Sequence, residues 1–273
     1  MAKARRMLED SLKLVDVVIE MVDARAPAST RNPDFDDIFG AKPRVIVLNK
    51  ADLADPAKTK QWIAYYKSLG WDAISFSANA GKGVKEAIQL VERAVKPTVD
   101  RMKAKGVNKT VRAMIVGIPN VGKSTFINRL RGTAVAKAGD KPGVTRGKQW
   151  IIVNPYLEFL DTPGMLPPRL DDQNGAKLLA YLGSIRDQIM DTEELAGGLL
   201  QLLYEVAPAP TAARYKLGEN PGTEAHELLE AACKGRGWLL SGGRYDTDRA
   251  SALILDEFRA GKVGKITIQP VSK

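Results

Sequence analysis

The segment Gly117–Ser124 has residue types and spacing suited to holding phosphate groups. It matches the pattern G-x-x-x-x-G-K-[ST], and it lies between an apolar strand, Arg112–Val116, and a helical segment, Gly122–Leu130. The glycines let the backbone wrap around phosphate oxygens, and the positive end of the helix dipole faces the same oxygens. Lys123 is placed to reach the β- and γ-phosphates, and Ser124 to offer its hydroxyl to Mg²⁺. This pattern alone does not choose between ATP and GTP.

A second motif, Asn49-Lys50-Ala51-Asp52, follows the apolar strand Val45–Leu48 and makes that choice. The Asp52 carboxylate only accepts hydrogen bonds, and guanine presents two adjacent donors, N1–H and the 2-amino group. Each charge-assisted bond contributes roughly 1.5–3 kcal/mol, whereas adenine would turn a lone pair toward the carboxylate. The Lys50 stem is expected to cover the base plane, and Asn49 to tie this loop to the phosphate loop.

Two further segments complete the predicted site. Asp161-Thr162-Pro163-Gly164 follows the apolar strand Leu157–Leu160, so Asp161 is expected to hold a magnesium-bound water, and the Gly164 N–H to bond the γ-phosphate. Thr145 lies in the loop between the phosphate-loop helix and this strand pair; it is interpreted as a second hydroxyl on Mg²⁺, the alternative being an ordinary turn residue. Lys123 and Thr145 are therefore the predicted catalytic residues, and Ser124, Thr145 and Asp161 the magnesium ligands.

Ser77-Ala78 ends a third apolar strand, where a backbone N–H is expected to reach guanine O6. The residues predicted to contact GTP are Asn49, Lys50, Asp52, Ser77, Ala78, Asn120, Val121, Gly122, Lys123, Ser124, Thr125 and Gly164.

Strands alternating with helices through residues 1–174 predict an α/β domain with a mostly parallel sheet and helices on both faces. Val84–Val95 is expected to be a helix that stops at Pro97, and residues 97–110 a polar, basic linker. Four apolar stripes at helical spacing predict a small α-helical domain over residues 175–273.

The net charge of +9 is uneven, because residues 1–174 hold 29 Lys and Arg against 19 Asp and Glu, and residues 175–273 hold 12 against 13. Such a basic excess suits nucleic acid, although a solvated surface is an equal alternative. The one cysteine, Cys233, excludes an intrachain disulfide and is expected to be a small apolar helix residue. No apolar run approaches the roughly 18 residues of a membrane span, so a cytoplasmic protein is expected.

These motifs are those of Ras-like GTPases, but in an altered order, since Asn49–Asp52 and Ser77–Asn79 precede Gly117–Ser124. The chain resembles the circularly permuted ribosome-biogenesis GTPases of the YlqF/RbgA family over essentially its whole length. The matching segments are Met1–Arg6, Asp23-Ala24-Arg25-x-Pro27, Ser29–Pro33, Leu48–Asp52, Gly117–Thr125, Asp161–Gly164 and Leu240–Gly243.

The resemblance implies a permuted Ras-like GTPase domain, and a C-terminal helical domain that binds RNA or the ribosome. It also implies GTP-dependent binding to large ribosomal subunit precursors and their rRNA, late in assembly. The protein is expected to act as a monomer and not to bind a membrane. GTP or GDP and Mg²⁺ are the implied ligands, and Asn120 is the implied ligand of a K⁺ ion that stimulates hydrolysis. Intrinsic hydrolysis is expected to be low and the ribosomal particle to stimulate it.

Two departures from the family pattern leave the group that activates water unassigned. Met165 occupies the position where Ras-like enzymes carry a water-orienting Gln. The family's Phe-Pro-Gly-His segment, with its proposed catalytic His, precedes the stretch that matches Met1–Arg6; the only histidine, His226, is interpreted as a surface or core-edge residue. Either the start is truncated or hydrolysis depends on the ribosomal partner. A signalling switch acting on a protein effector, and an ATPase or kinase with a fortuitous N-K-A-D, are the competing interpretations.

Overall fold

The computed structural model describes residues 2–78, 81, 83–133, 150–162, 164–165, 173–185 and 191–271. It divides into two compact units. The first consists of Met1–Asp52 and Thr59–Arg169, and the second of Leu53–Lys58 and Leu170–Lys273. None of the helices in the described ranges combines the length and the apolar character that crossing a bilayer requires.

The first unit is built on a six-stranded sheet whose spatial order is β3-β2-β1-β4-β6-β5. All neighbouring strands pair in parallel except β5 and β6, which form an antiparallel pair at one edge. The prediction of a mostly parallel α/β sheet is thereby confirmed. The strands are β1 Val17–Asp23, β2 Arg44–Asn49, β3 Asp72–Ser75, β4 Val111–Val116, β5 Trp150–Asn154 and β6 Leu157–Asp161.

Helices flank this sheet. They are α1 Ala2–Leu12, α2 Asp34–Phe39, α3 Pro56–Ser68, α4 Val84–Ala104 and α5 Lys123–Thr133. Alternate strand residues such as Val18, Met114 and Leu160 form an apolar cluster with Leu8 of α1 and Phe35 of α2. The long helix α4 packs against β1, β2, β3 and β4. The amphipathic pattern of α4 is explained by this packing, because its buried residues Val84, Ala87, Val91 and Val95 form one apolar stripe.

Strand register brings the chain segments that carry the motifs to one edge of the sheet. Asp23 at the end of β1 lies opposite Asn49 at the end of β2, and Ile115 near the end of β4 lies opposite Asp161 at the end of β6. The carboxyl ends of parallel strands are where open α/β sheets bind ligands. Strand order thus brings together motifs that are far apart in sequence.

The prediction that a helix ends at Pro97 and gives way to a linker over residues 97–110 is wrong. Helix α4 runs on to Ala104 with Pro97 inside it. Proline removes one backbone hydrogen bond, but Val91, Val95, Val99 and Met102 continue a single apolar stripe at helical spacing. Packing of that stripe offsets the missing bond. Only the residues after Ala104 connect α4 to β4.

A short helix, α2, lies in the polar segment that follows β1. Asp34, Asp36 and Asp37 occupy its first turn, where they complement the positive end of the helix dipole. Phe35 and Phe39, four residues apart, are both buried and stack on each other with ring centroids 4.9 Å apart. Two aromatic residues are enough to anchor a six-residue helix, but they are too few to make a sequence period.

The second unit is α-helical, as predicted. Its helices are α6 Gln173–Tyr181, α7 Thr192–Val206, α8 Pro208–Tyr215, α9 Ala225–Arg236 and α10 Thr247–Arg259. Helix α7 is central and packs against the other four, with the Asp191 side chain capping its first turn. Cys233 is buried in α9, in keeping with its interpretation as a small apolar helix residue.

The segment Leu53–Lys58, which directly follows the N-K-A-D motif, is part of the second unit. The Ile266 N–H donates to the Leu53 carbonyl at 3.0 Å, and the buried Thr267 hydroxyl accepts the Asp55 N–H at 3.1 Å. The extended stretch after α10 therefore anchors this segment.

Candidate functional site

The phosphate-loop segment Gly117–Ser124 connects β4 to α5, so its predicted strand–loop–helix context is present. Gly122 has a φ of +97°, and a Cβ there would lie 2.0 Å from Asn49 Nδ2. Only glycine fits this position, because any side chain would be strained and would displace the asparagine. Asn120 also adopts a left-handed conformation, with φ 61°. The loop backbone therefore turns sharply just before the helix begins.

Lys123 is held by its own loop. Its ammonium donates to the Gly117 carbonyl at 3.0 Å and to the Ile118 carbonyl at 2.9 Å. An ammonium group has three donors, so one N–H remains for a phosphate oxygen. Burial lowers the pKa of Lys123 to about 8, and the negative charge of Asp161 partly opposes that shift. The two backbone carbonyls thus fix the position of the Lys123 ammonium, and the lowered pKa makes its charge sensitive to pH.

The segment after β6 lies against the phosphate loop. The buried Thr162 hydroxyl donates to the Ile115 carbonyl at 2.5 Å, and the Met165 N–H donates to the Gly117 carbonyl at 3.2 Å. A Cβ on Gly164 would lie 2.9 Å from the Pro119 nitrogen and 3.0 Å from Lys123 Nζ. Glycine at position 164 therefore lets this backbone approach Lys123, the residue predicted to bind the phosphates.

The N-K-A-D loop is tied to the phosphate loop, as predicted for Asn49. The buried Asn49 side chain donates from Nδ2 to the Val121 carbonyl at 2.7 Å. The backbone carbonyl of Asn49 accepts the Ala24 N–H at 2.8 Å. The Ala51 N–H donates to the Phe76 carbonyl at 3.1 Å, which joins the loop to the end of β3. Three neighbouring chain segments thus fix the backbone that carries Asp52.

Lys50 has a partner that sequence reasoning missed. It adopts φ 58°, and its ammonium lies 2.9 Å from Asp23 Oδ2. Asp23 is buried and also accepts hydrogen bonds from Arg25, at 3.0 Å from Nε and 2.8 Å from Nη2. Burial would raise the pKa of Asp23, but Arg25 and Lys50 outweigh it and hold that pKa well below its usual range. A charged carboxylate therefore fixes the Lys50 side chain.

A signal for this pairing exists in the sequence. The Asp23-Ala24-Arg25 stretch follows a buried strand, as the N-K-A-D motif does, and charged residues at the ends of two parallel strands meet if those strands are neighbours. The neighbour relation of β1 and β2 is what the structure adds.

The predicted O6-contacting segment lies beside the same loop. The Phe76 N–H donates to the Leu48 carbonyl at 2.8 Å, which places Ser77 and Ala78 just beyond β3 and next to the end of β2. The Arg129 guanidinium of α5 donates to the Ala78 carbonyl at 2.9 Å. Asn79, the last residue of this predicted motif, lies outside the described residues.

The donor set at the phosphate end suits Mg²⁺. Ser124 is exposed at the start of α5, and Asp161 is half-buried at the end of β6, near enough to Lys123 to influence its pKa. Hydroxyl and carboxylate oxygens are the hard ligands that Mg²⁺ accepts, together with water and substrate phosphates. No cluster of three or more His, Cys, Asp or Glu suited to a metal occurs in the ranges that the structure covers.

Most predicted site residues therefore meet at one edge of the first unit. The phosphate loop, the N-K-A-D loop, Ser77-Ala78 and the Asp161–Gly164 segment are linked by the hydrogen bonds above. Thr125 is exposed in the first turn of α5. Thr145 lies outside the described residues, so its role as a magnesium and catalytic residue stays a prediction. His226 is exposed at the start of α9, in keeping with a surface residue.

Comparison with known proteins identifies relatives with this arrangement. Residues 112–201 match the family model described as "50S ribosome-binding GTPase". The chain is 50% identical over 270 residues to Ribosome biogenesis GTPase A of Bacillus cereus, covering 98% of this chain and 91% of that protein.

Solved structures agree with the sequence match. The GDP-bound structure of TM YlqF has a TM-score of 0.71 and 28% identity, covering 97% of this chain and 98% of that one. GNP-bound YlqF from T. maritima has a TM-score of 0.66 and 29% identity, covering 98% of both chains. With the motif order and the sheet order described above, these matches establish the family: the chain belongs to the circularly permuted ribosome biogenesis GTPase A (YlqF/RbgA) family.

Proposed function

We propose that this protein is a GTP-binding and GTP-hydrolysing assembly factor that binds large ribosomal subunit precursors in a GTP-dependent manner and promotes their late maturation. The observation that carries the GTP part is the 2.7 Å bond from Asn49 to the Val121 carbonyl. It joins a guanine-reading loop to a phosphate loop at one sheet edge, so one nucleotide can engage both.

Phosphate binding rests on the loop and on three oxygen ligands. Lys123 has one N–H for a phosphate oxygen, and the loop backbone with the start of α5 supplies further N–H donors. Ser124, Thr145 and Asp161 (the last through water) are the proposed ligands of Mg²⁺, which when bound would neutralise developing phosphate charge. The Gly164 N–H is proposed to bond the γ-phosphate.

Guanine recognition rests on Asp52, with support from neighbours. The Asp52 carboxylate is proposed to accept the N1–H and the 2-amino group, while a backbone N–H of Ser77 or Ala78 reaches O6. Lys50 covers the base plane. Its anchor is Asp23, so we assign Asp23 a positioning role in base binding.

Hydrolysis is proposed to depend on the ribosomal particle. Met165 packs against the apolar cluster beneath α1 and α2, and its thioether offers no strong hydrogen bond to orient water. A partner that supplies the missing group would give a large rate increase, as partner-supplied groups do in other GTPases. Asn120, in its left-handed conformation beside the phosphate loop, is the proposed ligand of a stimulating K⁺ ion.

The division of labour between domains is also a proposal. Residues 1–174 would form the permuted GTPase domain, and residues 175–273 a helical domain that binds RNA or the ribosome. The names of the relatives support a ribosomal particle as partner. We propose that the protein acts as a monomer in the cytoplasm.

The decisive experiment measures GTP turnover with and without large-subunit precursor particles, first in potassium and then in sodium. Particles should raise turnover by on the order of tenfold or more, and potassium should raise it over sodium. Lys123→Ala supplies the background rate. In parallel, particles should pellet the protein with a GTP analogue and less with GDP. Equal pelleting in both nucleotide states would reject the assembly role and favour a switch that acts on a protein effector.

A further inference from the structure

The richest run of positive charge in the first unit lies away from the nucleotide site. Between Arg93 and Arg112 the sequence holds seven Lys or Arg residues and one acidic residue, Asp100. Four of the seven lie on α4, two lie in the connection that follows it, and Arg112 lies on β4. Just over half of the run is therefore fixed on a long helix.

This helix borders a cavity of about 540 Å³ that no part of the GTP site uses. Val99, Val107 and Leu157 are among its apolar lining residues, and Lys96, Lys103 and Lys109 are among its charged ones. Its volume falls within the roughly 300–1,000 Å³ typical of ligand sites. Because Val111 begins β4 and Leu157 begins β6, the cavity lies at the amino end of these strands, opposite the edge that holds the nucleotide motifs.

An aromatic ring stands at the same cavity. Tyr156 lines it and is 68% exposed, the largest value among the exposed large apolar residues of the described ranges. Its backbone is nevertheless fixed, because its N–H donates to Asn154 Oδ1 at 2.9 Å and its carbonyl accepts the Val111 N–H at 2.8 Å. An exposed ring on a fixed backbone offers a face on which a nucleobase can stack.

Among the residues that line the cavity, basic side chains outnumber acidic ones. Lys103 pairs with no carboxylate in the described part of the chain, whereas Lys96 pairs with Asp100 at 2.7 Å and Lys109 with Asp16 at 2.8 Å. The Lys96 pair is exposed, and exposed pairs of this kind are weak enough for a phosphate to replace the carboxylate. Glu92 is the acidic lining residue, and Arg93 beside it pairs with Asp72.

We propose that this cavity binds a single-stranded segment of RNA, with phosphates on Lys96 and Lys103 and one unstacked base on Tyr156. Cationic side chains beside an aromatic platform are how proteins hold single-stranded nucleic acid. An acidic peptide would use the lysines but would gain nothing from a stacking ring. The proposal rests on the proposed ribosomal function and adds to it an RNA-binding site in the GTPase unit, which carries the chain's basic excess.

The test measures fluorescence anisotropy of a labelled uridylate dodecamer with the full chain and a GTP analogue, over a series of salt concentrations. Each phosphate of a single strand that a lysine neutralises adds about 0.7 to the salt slope, so Lys96→Ala with Lys103→Ala should reduce that slope by about 1.4. Tyr156→Ala should weaken RNA binding by about tenfold, yet leave binding of labelled inorganic polyphosphate unchanged. The matched control replaces two exposed lysines of α3, Lys60→Ala with Lys67→Ala, and should keep the wild-type slope.

The outcomes separate this proposal from the assembly role. A wild-type chain that ignores the oligonucleotide, a cavity variant that keeps the wild-type slope, or a Tyr156→Ala that binds RNA as well as wild type would each overturn it. A competing acidic peptide tests for a protein partner. If the peptide displaces RNA equally well from wild type and from Tyr156→Ala, and Tyr156→Ala binds RNA as tightly as wild type, the cavity would be assigned to a protein partner instead. If wild type binds RNA at the cavity but fails to pellet with precursor particles, the assembly role fails and the RNA site stands.

Discussion

The guanine end and the phosphate end of the nucleotide site are built in different ways. At the guanine end, Lys50 is held by the buried carboxylate of Asp23, and Asn49 by the Val121 carbonyl. Side chains from one loop are fixed there by groups from two others. At the phosphate end, Lys123 is held by carbonyls of its own loop. The other groups at that end are backbone N–H groups, which can donate hydrogen bonds to phosphate, and oxygen atoms suited to binding a metal.

This difference separates selectivity from affinity. The guanine end is pre-organised by buried, paired charges, so changes there should alter which base is accepted and how firmly the loop is held. The phosphate end depends on the positive charge of Lys123, whose pKa is lowered by burial, so the affinity of this end for phosphate should vary with pH.

The largest effect is expected from Asp52→Asn. Losing charge-assisted bonds of roughly 1.5–3 kcal/mol each should weaken GTP binding by about 30-fold or more. Xanthine carries a carbonyl where guanine has the 2-amino group, so the asparagine can accept from N1–H and donate to that carbonyl. Xanthosine triphosphate should therefore bind the variant better than GTP does, as measured by titration calorimetry. Asp37→Asn, an exposed carboxylate-to-amide change on α2, should leave both affinities as they are. If the variant keeps its guanine preference, another group reads the base.

Much of this contrast could be anticipated from the sequence, because the motifs carry their own physics. Gly122 and Lys123 occur in a pattern that only a phosphate loop explains, and the strands before each motif predicted a common sheet edge. The bond from Asn49 to the phosphate loop followed from its residue type. The order of the strands, with β4 between β1 and β6, is what the structure adds.

The rest could not be anticipated because it depends on which elements become neighbours. The Asp23–Lys50 pair joins residues 27 positions apart and exists only because β1 and β2 are adjacent. Helix α4 continues past Pro97 because the apolar stripe that is buried at Val91 and Val95 runs on to Met102 at helical spacing, which outweighs a local helix-breaking preference. The local preference of proline therefore predicted the wrong end for this helix, although the basic character of the segment was apparent from the sequence.

A smaller effect is expected from Asp23→Asn, which tests whether the guanine end is pre-organised through Lys50. The change should weaken GTP binding by about tenfold, because Lys50 loses the charge that fixes it. Lys50→Met should cost about the same, and the double variant should be no weaker than either single one, since both changes remove one interaction. Additive losses would show that Asp23 and Lys50 act separately.

Folding must be followed alongside this cycle. Removing the carboxylate leaves Arg25 buried without its partner charge, so Asp23→Asn should also lower the free energy of unfolding, by about 3–5 kcal/mol. Lys50→Met leaves the Asp23–Arg25 pair intact and should unfold near the wild-type temperature. The affinity of Lys50→Met therefore reports the positioning effect even if Asp23→Asn folds poorly.

The smallest effect belongs to the phosphate end and is a pH dependence. Burial lowers the pKa of Lys123 to about 8 in the protein, and bound phosphate anions should raise it, so the complex holds the proton more tightly than the free protein. Affinity for GTP should therefore be greatest below this pKa and fall above it, by about fourfold from about pH 7 to about pH 8.5. Guanosine lacks phosphates and meets only the guanine end, so calorimetry should find its affinity nearly constant over the same range. A parallel decline for guanosine would place the titrating group at the guanine end and remove the contrast between the two regions.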